Sequence, residues 1–251
     1  MEENIIYKSE RKAIYKVDNI VIKTYNDTYN TSQVLNEALN QSKVAEAGIS
    51  APKVYEVKFY NGKLGITMDF IDGYNLNDII NDNKKDEDKY LDLFVNTYHE
   101  MSKNKNLNLN NSYGRIKNKI FSSELPANVK YGLFYKLREM EFARDVIHGD
   151  FTPSNIILTK DNKSMIVDWG HVAFGEKEFD VAITYALFDL SGRKELGDKY
   201  LEKLKKVENI DVPLVFKVII LAYIYIVDRY EGEMKKEIYN RIYSIIKSEE
   251  A

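Results

Sequence analysis

The chain has no cysteine, which excludes disulfide bridges and thiolate metal sites alike. Histidine is nearly as scarce: His99, His148 and His171 are the only three, too scattered for a histidine zinc site. Long hydrophobic runs are missing too. The longest, residues 215–227, is interrupted by Lys217 and is too short to span a bilayer, so no membrane partner is expected. The opening MEENIIYKSERK lacks a basic stretch followed by an apolar core, which predicts no signal peptide. Nor is there an excess of positive charge. The 36 Lys and Arg stand against 39 Asp and Glu, a net charge of −3, so no strongly basic surface for a nucleic-acid partner is expected. These absences together predict a cytoplasmic protein. What is present is an ordinary globular balance of 44% hydrophobic and 30% charged residues. Its 251 residues suffice for one large domain or two closely packed lobes.

Periodicity changes along the chain. Residues 14–17 and 20–25 alternate about Asp18-Asn19 and predict a hairpin. Thr31 or Ser32 is placed to cap a helix running to about Ala47, with Gly48 ending it. Residues 54–60 and 64–71 predict two strands joined by Asn61-Gly62, a strong hairpin signal. From Leu76 onward the pattern is helical, with Tyr90, Leu93, Phe94, Thr97, Tyr98 and Met101 at helical spacing. A loop is expected over 102–112, a helical stretch within 122–143, and short strands around turns over 147–170. Helices are expected over 181–190, 195–207 and 215–247, the last with a break near Gly232. The expected fold class is α+β: an antiparallel sheet with one helix over 1–71, then a mainly helical region over 72–251, joined near residues 69–75.

Three polar groups stand out among hydrophobic neighbours. Asp150 and Asn155 lie five positions apart in Ile147-His148-Gly149-Asp150-Phe151-Thr152-Pro153-Ser154-Asn155, which reads as a loop, and Asp168 follows the apolar run Ile166-Val167. An Asp, an Asn and a second Asp at this spacing match the parts needed for phosphoryl transfer from a nucleoside triphosphate. One carboxylate takes the proton of the acceptor hydroxyl and aims its oxygen in line. The amide and the other carboxylate are hard oxygen donors suited to magnesium.

The stretches IHGDFTPSNIIL and IVDWG resemble the aminoglycoside phosphotransferase and choline kinase-like family, small-molecule kinases with the protein-kinase-like fold. The order of elements extends the likeness over nearly the whole chain. The resemblance implies a bilobal fold, with a nucleotide-binding N-terminal lobe over 1–71 and a catalytic and substrate-binding lobe over 72–251. It implies ATP as donor, with GTP as the alternative, and Mg2+ as cofactor. Asp150 is then the catalytic base, and Asn155 and Asp168 are the metal ligands. Lys23, on a strand, would reach the α- and β-phosphates, oriented by Glu37 on the following helix. Met68, Asp69 and Ile71 would form the adenine pocket at the hinge, through the Asp69 carbonyl, the Ile71 amide and the Met68 side chain. His148 is expected to buttress the catalytic loop, Trp169 to pack, and Asp180 to cap the following helix and tie it to that loop. Two departures stand out. Gly170 occupies a position where family members often carry an acid. No glycine-rich loop lies between the first strands, which leaves Ser9, Arg11 and Lys12 as candidates for phosphate contacts.

The acceptor is expected to be a small-molecule hydroxyl: an aminoglycoside, an amino alcohol or a sugar. Candidate regions are 110–125 and 184–235, where Asp189, Asp228, Glu231 and Glu233 offer charge for an amine, and Tyr223, Tyr225 and Tyr230 offer stacking faces. Solvated acids and core tyrosines are the plainer reading of each. Thr152-Pro153-Ser154 resembles the loop of small atypical protein serine/threonine kinases, which makes protein phosphorylation the alternative. A catalytically silent nucleotide-binding scaffold is a third, and the retained Asp150 argues against it. Nothing in the sequence fixes the oligomeric state.

Overall fold

In the computed structural model, residues 4–105, 107–140 and 143–249 are described. Residues 1–3 of the opening segment and 141–142 of the expected helical stretch lie outside them. The chain begins with β1 (Asn4–Lys8), β2 (Lys12–Val17), β3 (Ile20–Tyr25), α1 (Thr31–Glu46), β4 (Val54–Tyr60), β5 (Lys63–Asp69), β6 (Gly73–Asn75) and α2 (Leu76–Asp82). Next come α3 (Glu87–Ser102), α4 (Ser112–Ser122), α5 (Ala127–Arg138), β7 (Asp145–Ile147), β8 (Ile156–Thr159), β9 (Ser164–Ile166) and β10 (Ala173–Gly175). The chain ends with α6 (Lys177–Leu190), α7 (Lys194–Val207), α8 (Val212–Ile226) and α9 (Gly232–Glu249). Contacts group these elements into two units: residues 1–90, 107–109 and 153–172, and residues 91–106, 110–152 and 173–251.

The first unit is built on a five-stranded antiparallel sheet of order β1-β2-β3-β5-β4. Asn61 and Gly62 both adopt positive φ, the conformation of a two-residue hairpin turn, and they join β4 to β5 as their sequence demands. Strand β5 ends at Asp69, so Phe70 and Ile71 have already left the sheet rather than extending it. Helix α1 is capped by Asn30, one residue before the expected Thr31 or Ser32. Asn30 accepts from the Gln33 amide while the Gln33 side chain accepts from the Asn30 amide, so each satisfies an end donor of the other. Val34 and Ala38 of α1 pack on Val21, Tyr25, Ile66 and Met68 of the sheet. Strands β6, β8 and β9 form a second, three-stranded sheet in the same unit.

The second unit is mainly helical, and α8 lies at its centre. Residues Val218 to Ile226 of α8 are all buried, a pattern that only a helix surrounded by partners shows. Helix α6 packs against it with Phe179 to Ala186 buried. Truncating one such side chain, for example Ile224→Ala, would cost roughly 2–5 kcal/mol. The break expected near Gly232 is a short turn, Val227–Arg229, between α8 and α9. The helical stretch expected within 122–143 is α5, and an unexpected helix, α4, covers 112–122 ahead of it.

Candidate active site

The loop that carries Asp150 is fixed from two sides within the helical unit. The Phe151 ring is fully buried, stacked on Phe94 at 4.7 Å and meeting Tyr98 edge-on at 5.1 Å, both from α3. From α6, Thr184 donates its hydroxyl to the Phe151 carbonyl (2.8 Å), and Asp180 accepts from the backbone amides of His148 (2.9 Å) and Gly149 (2.7 Å). Asp180 is therefore a tie to this loop from inside α6, not the cap of that helix, whose N-terminal flanking residue is Glu176. Burial pushes the Asp180 carboxyl up to about 7, against the lowering effect of those two amides. Gly149 adopts φ +75°, a left-handed turn that a Cβ would strain, and this turn presents Asp150. His148 is fully buried, edge-on to Phe151.

Asp150 is held by a residue that the sequence did not single out. Arg229, in the turn after α8, donates from Nη1 to Asp150 Oδ1 (2.6 Å) and from Nη2 to the Gly149 carbonyl (2.7 Å). The guanidinium also lies 5.4 Å from the Tyr225 ring. The guanidinium thus ties Asp150 Oδ1 to the backbone of its own loop, two acceptors spanned by one planar group.

The first unit brings most of the other expected residues together. Lys23, in the middle of β3, is buried, and its Nζ is 2.5 Å from Glu37 Oε1 and 2.8 Å from Asp168 Oδ1. Burial works to lower its pKa, but Asp168 and then Glu37 outweigh burial and hold the ammonium well above the ordinary lysine value. A second ammonium, from Lys12, reaches Asp168 at 3.0 and 3.2 Å. Burial works to raise the Asp168 carboxyl; Lys23 and then Lys12 outweigh it and hold it well below the usual range. Asp168 adopts φ +66°, a left-handed conformation costing about 1–2 kcal/mol for a residue with a Cβ.

Local pairing explains how residues 155 and 168 become neighbours. Ile156 pairs with Ile166 across β8 and β9, so Asn155 enters the hairpin where Val167 leaves it, and the Val167 amide donates to the Asn155 carbonyl (2.9 Å). Gly170 follows in the next turn, and its missing side chain makes room for Glu37: a Cβ there would lie 2.9 Å from Glu37 Oε2.

A cavity of ≈ 940 Å³ opens in this unit, within the range that accommodates a cofactor. Lys23, Met68, Asp69, Ile71, Asn155 and Asp168 all line it, and Glu37 stands behind Lys23. Asp69 also anchors the local backbone, accepting from the Lys53 amide (2.9 Å) and the Tyr55 hydroxyl (2.5 Å). The donor set on the cavity wall would suit a magnesium ion. Asp168 and Asn155 supply hard oxygens, and the described residues contain no group of three or more His, Cys, Asp or Glu able to hold a metal by themselves.

The residues considered for the acceptor are mostly committed to the chain's own partners. Tyr223 donates to Asp189 (2.8 Å), which Arg241 also approaches (3.5 Å). Asp228 pairs with Lys119 (2.7 Å) and Glu233 with Lys236 (2.6 Å). Tyr223 and Tyr225 are buried core residues. Trp169 packs as expected, fully buried with its indole N–H on the Ile166 carbonyl.

Residues 121–211, which include Asp150, Asn155, Asp168 and Asp180, match the model of the phosphotransferase enzyme family known as APH. No curated protein matches the chain in sequence. Solved structures share its fold at low identity. Choline kinase LicA from Streptococcus pneumoniae is 15% identical, with a TM-score of 0.68 over 99% of this chain and 94% of that one. A choline/ethanolamine kinase family protein from Mesorhizobium loti is 11% identical, with a TM-score of 0.65 over 97% and 86%. A thermostable mutant of aminoglycoside phosphotransferase APH(4)-Ia, in ternary complex with AMP-PNP and hygromycin B, is 12% identical, with a TM-score of 0.72 over 98% and 93%. The chain thus has the α+β, protein-kinase-like fold of these enzymes, and the resemblance carried by IHGDFTPSNIIL and IVDWG is upheld. Among the described residues, no helix is long and apolar enough to cross a membrane.

Proposed function

We propose that this chain is a cytoplasmic ATP-dependent phosphotransferase that moves the γ-phosphate to a hydroxyl of a small molecule. The observation that carries the reading is Lys23, buried between Glu37 and Asp168 on the wall of a cavity of nucleotide size. The family match and the shared fold support a phosphotransferase, and the AMP-PNP in the similar aminoglycoside enzyme supports ATP as donor. In this reading residues 1–71 serve the nucleotide, and residues 72–251 serve catalysis and the acceptor.

Each side chain then has one task. Lys23, oriented by Glu37, binds the α- and β-phosphates. Met68, Asp69 and Ile71 receive the adenine. Asn155 and Asp168 would hold Mg2+, which would supply positive charge against the phosphates. Asp150 accepts the acceptor's hydroxyl proton as the new oxygen–phosphorus bond forms and the bond to the β-phosphate oxygen breaks, leaving ADP. A positioned base of this kind contributes about 10²–10⁴-fold. Arg229 positions the Asp150 carboxylate through its 2.6 Å contact to Oδ1, and is itself anchored by the 2.7 Å contact to the Gly149 carbonyl.

The test is ATP consumption with aminoglycosides, choline, ethanolamine, thiamine and sugars as acceptors. Consumption stimulated by one of them, with phosphate recovered on its hydroxyl, is the expected result. Labelled phosphate entering protein but none of these would favour the protein kinase that Thr152-Pro153-Ser154 resembles. Tight ATP binding with no transfer to any acceptor would favour the scaffold.

A further inference from the structure

We infer that the Lys12 side chain is a phosphate-binding group of the nucleotide site, taking over the work that main-chain amides do in a glycine-rich loop. This inference rests on the ATP-binding reading above. The β1–β2 turn has no glycine, and the amides of Ser9, Arg11 and Lys12 are already spent. The Ser9 hydroxyl accepts from the amides of Arg11 (3.3 Å) and Lys12 (3.1 Å), and the Ser9 amide donates to the Lys12 carbonyl (2.8 Å). Asn26 fixes the same turn from β3's end: its side chain donates to the Glu10 carbonyl (2.8 Å) and its amide to the Arg11 carbonyl (3.0 Å). Ser9 therefore closes the turn, and the amides of residues 9, 11 and 12 cannot also cradle an anion.

The charge comes from the strand instead. Lys12 lines the same cavity as Lys23, and its Nζ reaches Asp168, 156 residues away in sequence. The two lysines on Asp168 are not equivalent. Lys23 has Glu37 as a second carboxylate and is 7% exposed. Lys12 is 20% exposed, and Asp168 is the one carboxylate it pairs with among the described residues. A cation bound by Asp168 displaces the less anchored ammonium, which is Lys12. The phosphates that accompany the cation are the anion within reach of that released ammonium. Lys12 is thus the mobile member of a two-lysine phosphate site, and Lys23 the fixed one.

The experiment is titration of the full chain with Mg-ATP and, separately, with adenosine, comparing wild type, Lys12→Gln and Lys12→Arg, with thermal melting as the folding control. One charge-assisted contact at a partly exposed site corresponds to about tenfold in affinity. Lys12→Gln should weaken ATP binding about tenfold, leave adenosine binding unchanged and melt like wild type; Lys12→Arg should keep most of the ATP affinity. A lysine that served Asp168 alone would leave ATP affinity at the wild-type level, or raise it by freeing Asp168 for the cation. Either of those results, or an equal loss for ATP and adenosine, would overturn the inference and leave the nucleotide reading standing. Wild type that binds no ATP would overturn both.

Discussion

Gly170→Ala probes a tightly packed point behind the candidate nucleotide site. The added Cβ would sit 2.9 Å from Glu37 Oε2 and 3.3 Å from its Cδ, where ordinary contact begins at 3.4 Å. The carboxylate must therefore retreat by about 0.5 Å, and because it is rigid, Oε1 moves with it. Oε1 is the atom that meets Lys23 at 2.5 Å, in a pair whose side chains are only 7% and 6% exposed. Overpacking of this kind costs about 1–3 kcal/mol. For a chain of this length that is a fall of about 2–12 °C in melting temperature. Mg-ATP affinity should drop as well, since Lys23 loses its orienting partner. Gly114→Ala and Gly132→Ala are the controls: both glycines lie in helices with nothing within 4 Å of an added methyl, and both changes should be neutral or stabilising by up to about 1 kcal/mol. Differential scanning fluorimetry with and without Mg-ATP reads all of these. A double-mutant cycle decides the cause: in a Glu37→Ala background the clash is gone, so Gly170→Ala should cost almost nothing further. Wild-type melting and affinity in Gly170→Ala, or the same loss in both backgrounds, would refute the reasoning.

Arg229→Met should lower acceptor turnover about tenfold, at the low end for hydrogen bonds to a charged group because the pair is partly exposed. Its ATP affinity should stay at the wild-type value, and Arg229→Lys should recover part of the rate; unchanged turnover in Arg229→Met would remove the arginine from the mechanism. Asp180 makes stability depend on pH. Its folded pKa, about 7, lies above the ordinary 3.8, so its contribution is fully present below about pH 4 and is lost as pH rises through 7. The full swing is about 4 kcal/mol. Melting from pH 5 to 8 should therefore fall more steeply for wild type than for Asp180→Asn, and parallel profiles would count against a raised Asp180.

Features encoded by neighbours in sequence were legible; those encoded by distant contacts were not. Asn61-Gly62 announced its hairpin because both residues tolerate positive φ. The α+β class followed from periodicity, since period-2 strands dominate residues 4–71 around the single helix α1 and period-3.6 helices dominate the rest, although the short strands β6 to β10 return after residue 72. Helix α4 was missed because SYGRIKNKIFS buries only Ser112, Ile116 and Ile120, too sparse a stripe to stand out from its polar surroundings. The Asn30 cap differs from the expected Thr31 or Ser32 because three capping-type residues follow one another, and only the reciprocal bond with Gln33 selects among them. Arg229 lies 79 positions beyond Asp150, in a turn whose sequence, Val-Asp-Arg, carries no motif. The Lys12–Asp168 contact spans 156 positions and joins β2 of one sheet to the turn that follows β9 of another, which no local pattern states. Gly170 is the instructive case. It looked like a departure from a family pattern, and the structure gives it a steric reason in the carboxylate it accommodates.

The most direct test of the central claim is phosphate transfer from Mg-ATP to a hydroxyl acceptor, followed by ³¹P NMR for wild type and Asp150→Asn at equal concentration. Wild type should form a phosphate ester together with an equal amount of ADP. Asp150→Asn should bind Mg-ATP normally and form ester at least about a hundredfold more slowly. Ester formation by Asp150→Asn at the wild-type rate would contradict the account.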